Sequence, residues 1–167
     1  MDDTTIIETL YEKFATSSGR HIYGALGSYR ALKRFSQRLQ EAKLPAPLSI
    51  TRGILDSIPD ERFHYLVEKE AQRPLIVKQE VAQAFKNFVD RHLTQGKKVI
   101  MEGLELLYAY DVDLAPLRTG AHDETHLLLL LPGRYSNGYV RLFPELEREY
   151  WLPSQLITPD HIWEVQE

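Results

Sequence analysis

Five consecutive leucines, Leu127–Leu131, constrain the fold of this chain more than any other stretch. The run is far too short to cross a membrane. Polar and apolar residues do not alternate along it, so the strand it forms has no face left for water. Such a strand belongs in a parallel sheet with helices packed on both sides. Pro132-Gly133 is expected to end it.

Other segments fit the same architecture. His21-Ile22-Tyr23 (ended by Gly24), Leu48-Ser49-Ile50, Val99-Ile100-Met101-Glu102, Tyr139 to Phe143 and Ile162 to Val165 read as short strands. Helical spacing predicts a helix over 4–16, with Ile6, Ile7, Leu10, Tyr11 and Phe14 on one face. A second helix, 29–42, turns Ala31, Leu32, Phe35 and Leu39 inward. A third, 60–72, has capping spacing at Ser57 and Asp60, buries Phe63, Leu66 and Val67, and is stopped by Pro74. The clearest runs over 76–94, with Val77, Val81, Phe85, Phe88 and Val89 as its stripe and Gly96 as its cap. Residues 103–119 begin helically and then loop, and 145–151 reads as a short helix. The alternation predicts an α/β fold of three layers, a mainly parallel central sheet flanked by helices. At 167 residues the chain suits one domain, 1–167, with an N-terminal helical segment over 1–19 and a core over 20–167.

Composition removes several function classes. The absence of cysteine excludes disulfides, thiolate metal sites and a thiol nucleophile. The acidic start, Met1-Asp2-Asp3, lacks the basic and apolar pattern of a secretion signal, so a cytoplasmic protein with no membrane partner is expected. Net charge is −4, yet residues 20–43 carry Arg20, Arg30, Lys33, Arg34, Arg38 and Lys43 against the single acid Glu41. Arg30, Arg34 and Arg38 stand at four-residue steps, a basic stripe along the second helix. With Lys33 they are the candidates for contact with an acidic partner or a nucleic-acid backbone. A plain solvated helix face reads from the same residues. The acidic total argues against broad, nonspecific DNA binding.

In parallel sheets ligands bind beyond the carboxyl ends of the strands. The first strand leads through Gly24-Ala25-Leu26-Gly27-Ser28-Tyr29-Arg30-Ala31 straight into a helix. A phosphate-binding loop, G-x-x-x-x-G-K-[ST], has that setting. Its glycines let backbone N–H groups curl around the phosphates, its lysine reaches the terminal phosphates and its hydroxyl holds magnesium. Gly24 takes the first glycine, and Gly27 matches an extra glycine that many such loops carry. Tyr29 replaces the second glycine, Arg30 the lysine and Ala31 the hydroxyl. Gly24, Gly27, Ser28 and Arg30 are therefore the nucleotide-binding candidates, although a simple strand-to-helix turn explains them equally well. Glu102, an acid ending an apolar strand, is the catalytic candidate, placed to hold magnesium through water. Glu105 follows one turn later. After Leu131 there is no polar residue to sense a terminal phosphate.

The remaining constellations are weaker. His122 and His126 are four apart, but Gly120 before them and a strand after them disfavour the helix that zinc would need, and no metal is expected. Asp111 and Asp113 have the chemistry to hold magnesium in a loop, but read more simply as a solvated loop. Neither G-x-S-x-G nor G-x-G-x-x-G occurs. Tyr108, Tyr110, Tyr135, Tyr139, Tyr150 and Trp151 suit base stacking, a partner interface or ordinary packing.

Taken in order, His21–Ser28, Val99–Tyr108, Asp113–Arg118, Leu131–Gly133 and Pro144–Tyr150 resemble the small P-loop proteins of type III BREX phage-defence systems. Those are compact AAA-like ATPase-fold proteins encoded beside larger defence subunits. The resemblance spans most of residues 20–150. It implies a P-loop NTPase-like sheet and partners among the other subunits of a defence complex. With the lysine, second glycine and hydroxyl all replaced, the expected role is that of a pseudo-ATPase or weakly active subunit, a scaffold or regulator. Two readings stand beside it: an active ATPase using Arg30 and Glu102, and a nucleic-acid-binding adaptor using the basic helix 30–43. No cofactor is expected, ATP with magnesium being the one such a frame would take. A homo-oligomer is compatible with the resemblance, with Arg118 and Arg134 as the arginines available to reach a neighbour.

Overall fold

In the computed structural model, which describes residues 1–167, helix α1 runs Asp3–Phe14. The Asp2 carboxylate accepts the Thr5 N–H at 2.8 Å, and Ile6, Leu10 and Phe14 are buried at helical spacing. Tyr11, expected on the same face, is exposed, and its hydroxyl donates to the Ala42 carbonyl. Strand β1, Ile22–Gly27, leads into α2, Tyr29–Glu41, whose Ala31, Leu32, Phe35 and Leu39 are buried as the pattern indicates.

Between β2, Leu48–Ser49, and α4, Asp60–Lys69, stands a helix the sequence did not announce, α3, Ile50–Ser57. A Cβ at its Gly53 would fall 2.2 Å from the Phe88 ring, so the glycine lets two helices close on each other. Ser57 donates to the Ile54 carbonyl at 2.7 Å instead of capping α4. Helix α4 lies at the periphery: Leu66 is buried, but Phe63 and Val67 are exposed, against expectation. Pro74 starts α5, Pro74–His92, where its missing N–H costs nothing, rather than stopping the helix before it. The α5 stripe of Val77, Val81, Phe85, Phe88 and Val89 is buried as read. Gly96, at φ +79°, sits in the turn beyond the Leu93 cap.

Strand β3, Lys98–Glu102, is followed by two short helices, α6, Glu105–Ala109, and α7, Ala115–Gly120. Strand β4, His126–Ser136, does not end at Pro132-Gly133. There it leaves its parallel neighbours and pairs antiparallel with β5, Tyr139–Leu142. Gly133 permits the switch, because a Cβ would lie 2.4 Å from the Arg141 carbonyl oxygen. Asn137 and Gly138, both at positive φ, make the two-residue hairpin turn. The expected helix over 145–151 is replaced by a turn and the short strand β6, Tyr150–Trp151, which pairs with β5. Strand β7, Ile162–Glu164, closes the fold beside β1.

The parallel strands lie in the order β2-β3-β4-β1-β7. Alternate residues feed two cores. Ile22, Leu26, Val99, Met101, Leu127, Leu129 and Leu131 pack with α3 through α7. Tyr23, Ala25, Ile100, Leu128 and Leu130 pack with α1, α2 and Trp163. Both faces of β4 are thus covered, as its unbroken leucines require, and each leucine taken from water contributes about 2 kcal/mol. The molecule is a three-layer α/β protein with a mostly parallel sheet between helices. No helix is long and apolar enough to cross a membrane.

Candidate functional site

Strands β1, β3 and β4 run parallel, so Ser28, Glu102 and Pro132 arrive at one edge of the sheet. The glycine turn expected after Tyr23 does not form there. Strand β1 continues through Gly24, Ala25 and Leu26 to Gly27, and Gly24 pairs with Leu129 on one side and Ile162 on the other. Packing accounts for both glycines: a Cβ on Gly24 would stand 2.9 Å from Leu131 Cδ1, and one on Gly27 2.6 Å from Val165 Cγ2. Neither has a positive φ. A single residue, Ser28, joins strand to helix, leaving no length of backbone to wrap a phosphate.

Ser28 is the N-cap of α2. Its Oγ accepts the Ala31 N–H at 3.1 Å and donates to Glu167 Oε2 at 2.7 Å, while its own N–H donates to Glu167 Oε1 at 3.2 Å. These bonds, the hydroxyl first and the N–H next, hold the Glu167 carboxyl below its ordinary range. The place where a helix dipole would favour an anion is filled by the chain's own carboxylate.

A cleft of about 610 Å³ opens beside this junction. Tyr29, Lys33 and Ser36, on one face of α2, make one wall. Ser49 and Thr51 at the start of α3, with Glu102 and Glu105 after β3, make the other, over Leu130 and Pro132. The Thr51 hydroxyl and N–H both donate to the Gly103 carbonyl, at 2.8 and 3.2 Å, and Gly103 at φ +79° makes the bend that allows it. Across the cleft the Tyr29 hydroxyl donates to Glu105 Oε1 at 3.2 Å. Burial, then Glu105 and Glu145, push the Tyr29 pKa up. Burial, then Glu105, push the Glu102 carboxyl up as well. Tyr29 also lines the recess holding Gly27, Ser28 and Glu167, and so stands between that recess and the Glu102 cleft.

Of the candidate residues, Glu102 and Lys33 meet in the cleft, while Gly27 and Ser28 line the recess and Gly24 lines neither. Arg30 is exposed and forms no ion pair. Arg34 and Arg38 are turned to internal work. Arg34 donates to the Gln166 carbonyl, and Arg38 pairs with the buried Asp3 at 3.2 Å. Asp3 also accepts the Gln166 N–H at 3.1 Å. The residues missed from sequence were Tyr29 as a cleft wall, Glu105 as its partner, and Thr51. The spacing of Tyr29, Lys33 and Ser36 along α2 was the available signal.

His122 and His126 share no helix, since His126 begins β4. His126 Nε2 donates to the Thr16 carbonyl at 2.9 Å, so its Nδ1 is the acceptor for the Tyr23 hydroxyl at 3.2 Å. The Tyr23 oxygen in turn lies 3.1 Å from His21 Nδ1, and the two imidazoles stack at 4.0 Å. This cluster packs against Phe14 of α1, and no group of three or more metal-ligating side chains occurs.

The cleft can therefore offer a polar ligand two carboxylates, hydroxyls and one ammonium, but no fan of backbone donors for a phosphate chain. No family model, curated protein or solved structure matches the chain.

Proposed function

We propose that the chain is a pseudo-ATPase, a P-loop-like protein that serves as a scaffold or regulatory subunit in a multiprotein anti-phage system similar to type III BREX. The observation that carries this reading is the Ser28–Glu167 contact at the end of an unbroken β1. A nucleotide-binding frame sets a cradle after one strand and an acid after another at the same edge. Here Ser28 and Glu102 hold those two stations on either side of β4. Between the stations the chemistry of nucleotide binding is missing: β1 runs unbroken to Gly27 with no cradle, and the buried Ala31 offers no hydroxyl for magnesium.

The active-ATPase reading would need Arg30 and Glu102 to act on a nucleotide with no loop to hold it. The nucleic-acid adaptor loses Arg34 and Arg38 to internal partners. Titrating the chain with a fluorescent ATP analogue and magnesium, with phosphate release followed in parallel, tests the proposal. No saturable micromolar binding and no release are expected. Turnover that disappears in Glu102→Gln would replace this reading with the active ATPase.

A further inference from the structure

An exposed apolar surface lies away from the carboxyl edge, where α3, α4, α5 and α6 meet. Leu55, Phe63, Val67 and Leu75 are 40%, 42%, 56% and 69% exposed within one short stretch of chain. Between the helices a groove of about 260 Å³ is lined by Leu55, Ile58, Phe63, Val67, Leu106 and Tyr110, with Glu70 as its one charged side chain. Helix α4 explains the exposure. It carries the period of a buried helix, Phe63, Leu66, Val67, but packs only Leu66 inward. Its apolar stripe is satisfied only if something else covers the rest.

Charge says what that is. Asp60 stands one turn before Phe63, and Glu70, the cap residue of α4, one turn after Leu66, so acids bracket the stripe at both ends. Glu70 accepts the Tyr110 hydroxyl at 2.7 Å through one carboxylate oxygen, and the other has no such partner. Two of the nearby cations are already spent, Arg62 on Glu80 and Lys78 on Asp111. Lys69 lies 6.0 Å from the Tyr65 ring. The α4 stripe is apolar in the middle with an acid at each end, and Arg73, in the turn after α4, is the exposed cation there that forms no ion pair.

We infer that this groove is the docking site for an amphipathic helix of a partner protein, one whose apolar face is flanked by lysine or arginine. Its apolar side chains enter beside Phe63 and Val67, and its cations meet Asp60 and Glu70. The inference stands on α4 and the groove alone, independently of any nucleotide chemistry at the carboxyl edge.

The test uses the full chain and two labelled synthetic peptides. One is an amphipathic helix of leucine and lysine; the other has glutamate at every lysine position. Fluorescence anisotropy should show saturable binding of the lysine peptide and roughly tenfold or weaker binding of the glutamate peptide. Val67→Glu adds an acid, so attraction by surface charge alone would tighten the lysine peptide. Seating in the groove requires the opposite, a loss of roughly tenfold. Phe63→Ser should weaken binding similarly, with the thermal transition of each variant confirming that it folds. Unchanged or tighter binding by Val67→Glu overturns the proposal. So does sedimentation showing a dimer of the chain that Val67→Glu dissolves, because the occupant would then be a second copy.

Discussion

The Arg38 guanidinium reaches to within 3.2 Å of the Asp3 carboxylate, a side chain only 1% exposed. With the Gln166 N–H on the other carboxylate oxygen, this contact ties α1, α2 and the strand-end after β7 into one clasp. Breaking such a pair from the basic side leaves a buried charge without its counter-ion. Arg38→Ala should cost about 2 kcal/mol, a value discounted because Arg38 is partly solvated. Asp3→Asn should cost less, since Arg38 can turn to water. The double variant should lose less than the sum of the two. Urea midpoints at constant slope measure all three; additive losses would mean that the pair is not coupled.

Acid should weaken the fold through His126. Burial pushes its pKa from 6.5 down to about 4, and His21 moves in the same direction for the same reason. Between those values the unfolded chain holds a proton that the folded chain refuses. Stability is therefore complete above pH 6.5 and falls as the pH drops towards 4. The ceiling for His126 is about 3 kcal/mol. Urea unfolding across this range should show the slope, and His126→Gln should flatten most of it. A slope that survives the substitution would place the proton elsewhere.

Ser28→Ala removes the N-cap of α2 and both anchors of its hydroxyl. The expected loss is about 1 kcal/mol. Glu167→Gln should be milder, since an amide oxygen still accepts from Ser28. Thermal melts of the two variants check the order; equal or reversed effects would show that the cap matters less than the carboxylate.

Gly27→Ala brings a methyl group to within 2.6 Å of Val165 Cγ2, a stiff β-branched side chain. Overpacking of this kind costs about 1–3 kcal/mol. The loss should appear in urea unfolding, and a variant as stable as the parent would show that the segment just after β7 yields freely.

The core was legible because its signal is local. The leucines of β4 and the stripe of α5 state their burial in consecutive or helically spaced residues. Glycine and proline misled for one shared reason: they report a local geometry without saying what demands it. Gly24 and Gly27 read as a turn but are small because Leu131 and Val165 crowd them. Pro74 read as a stop and is a start, and Pro132 marks a change of strand partners rather than an end. In the candidate site, Glu102 was visible as an acid ending an apolar strand. In sequence its neighbour Tyr29 shows only as a replacement for the loop's second glycine, because the contact with Glu105 joins segments that only the sheet brings together. The arginine stripe was visible too, but the buried Asp3 that claims Arg38 gave no sign in the sequence.

The amide signal of Ser28 in a ¹H–¹⁵N spectrum, followed while magnesium ATP is added to millimolar excess, probes the β1–α2 junction itself. The expected result is a signal that stays where it is, because the Ser28 N–H remains bonded to Glu167 and no cradle forms. A saturable shift of Ser28, together with its neighbours Gly27 and Tyr29, would mean that a phosphate enters there and would contradict the pseudo-ATPase reading.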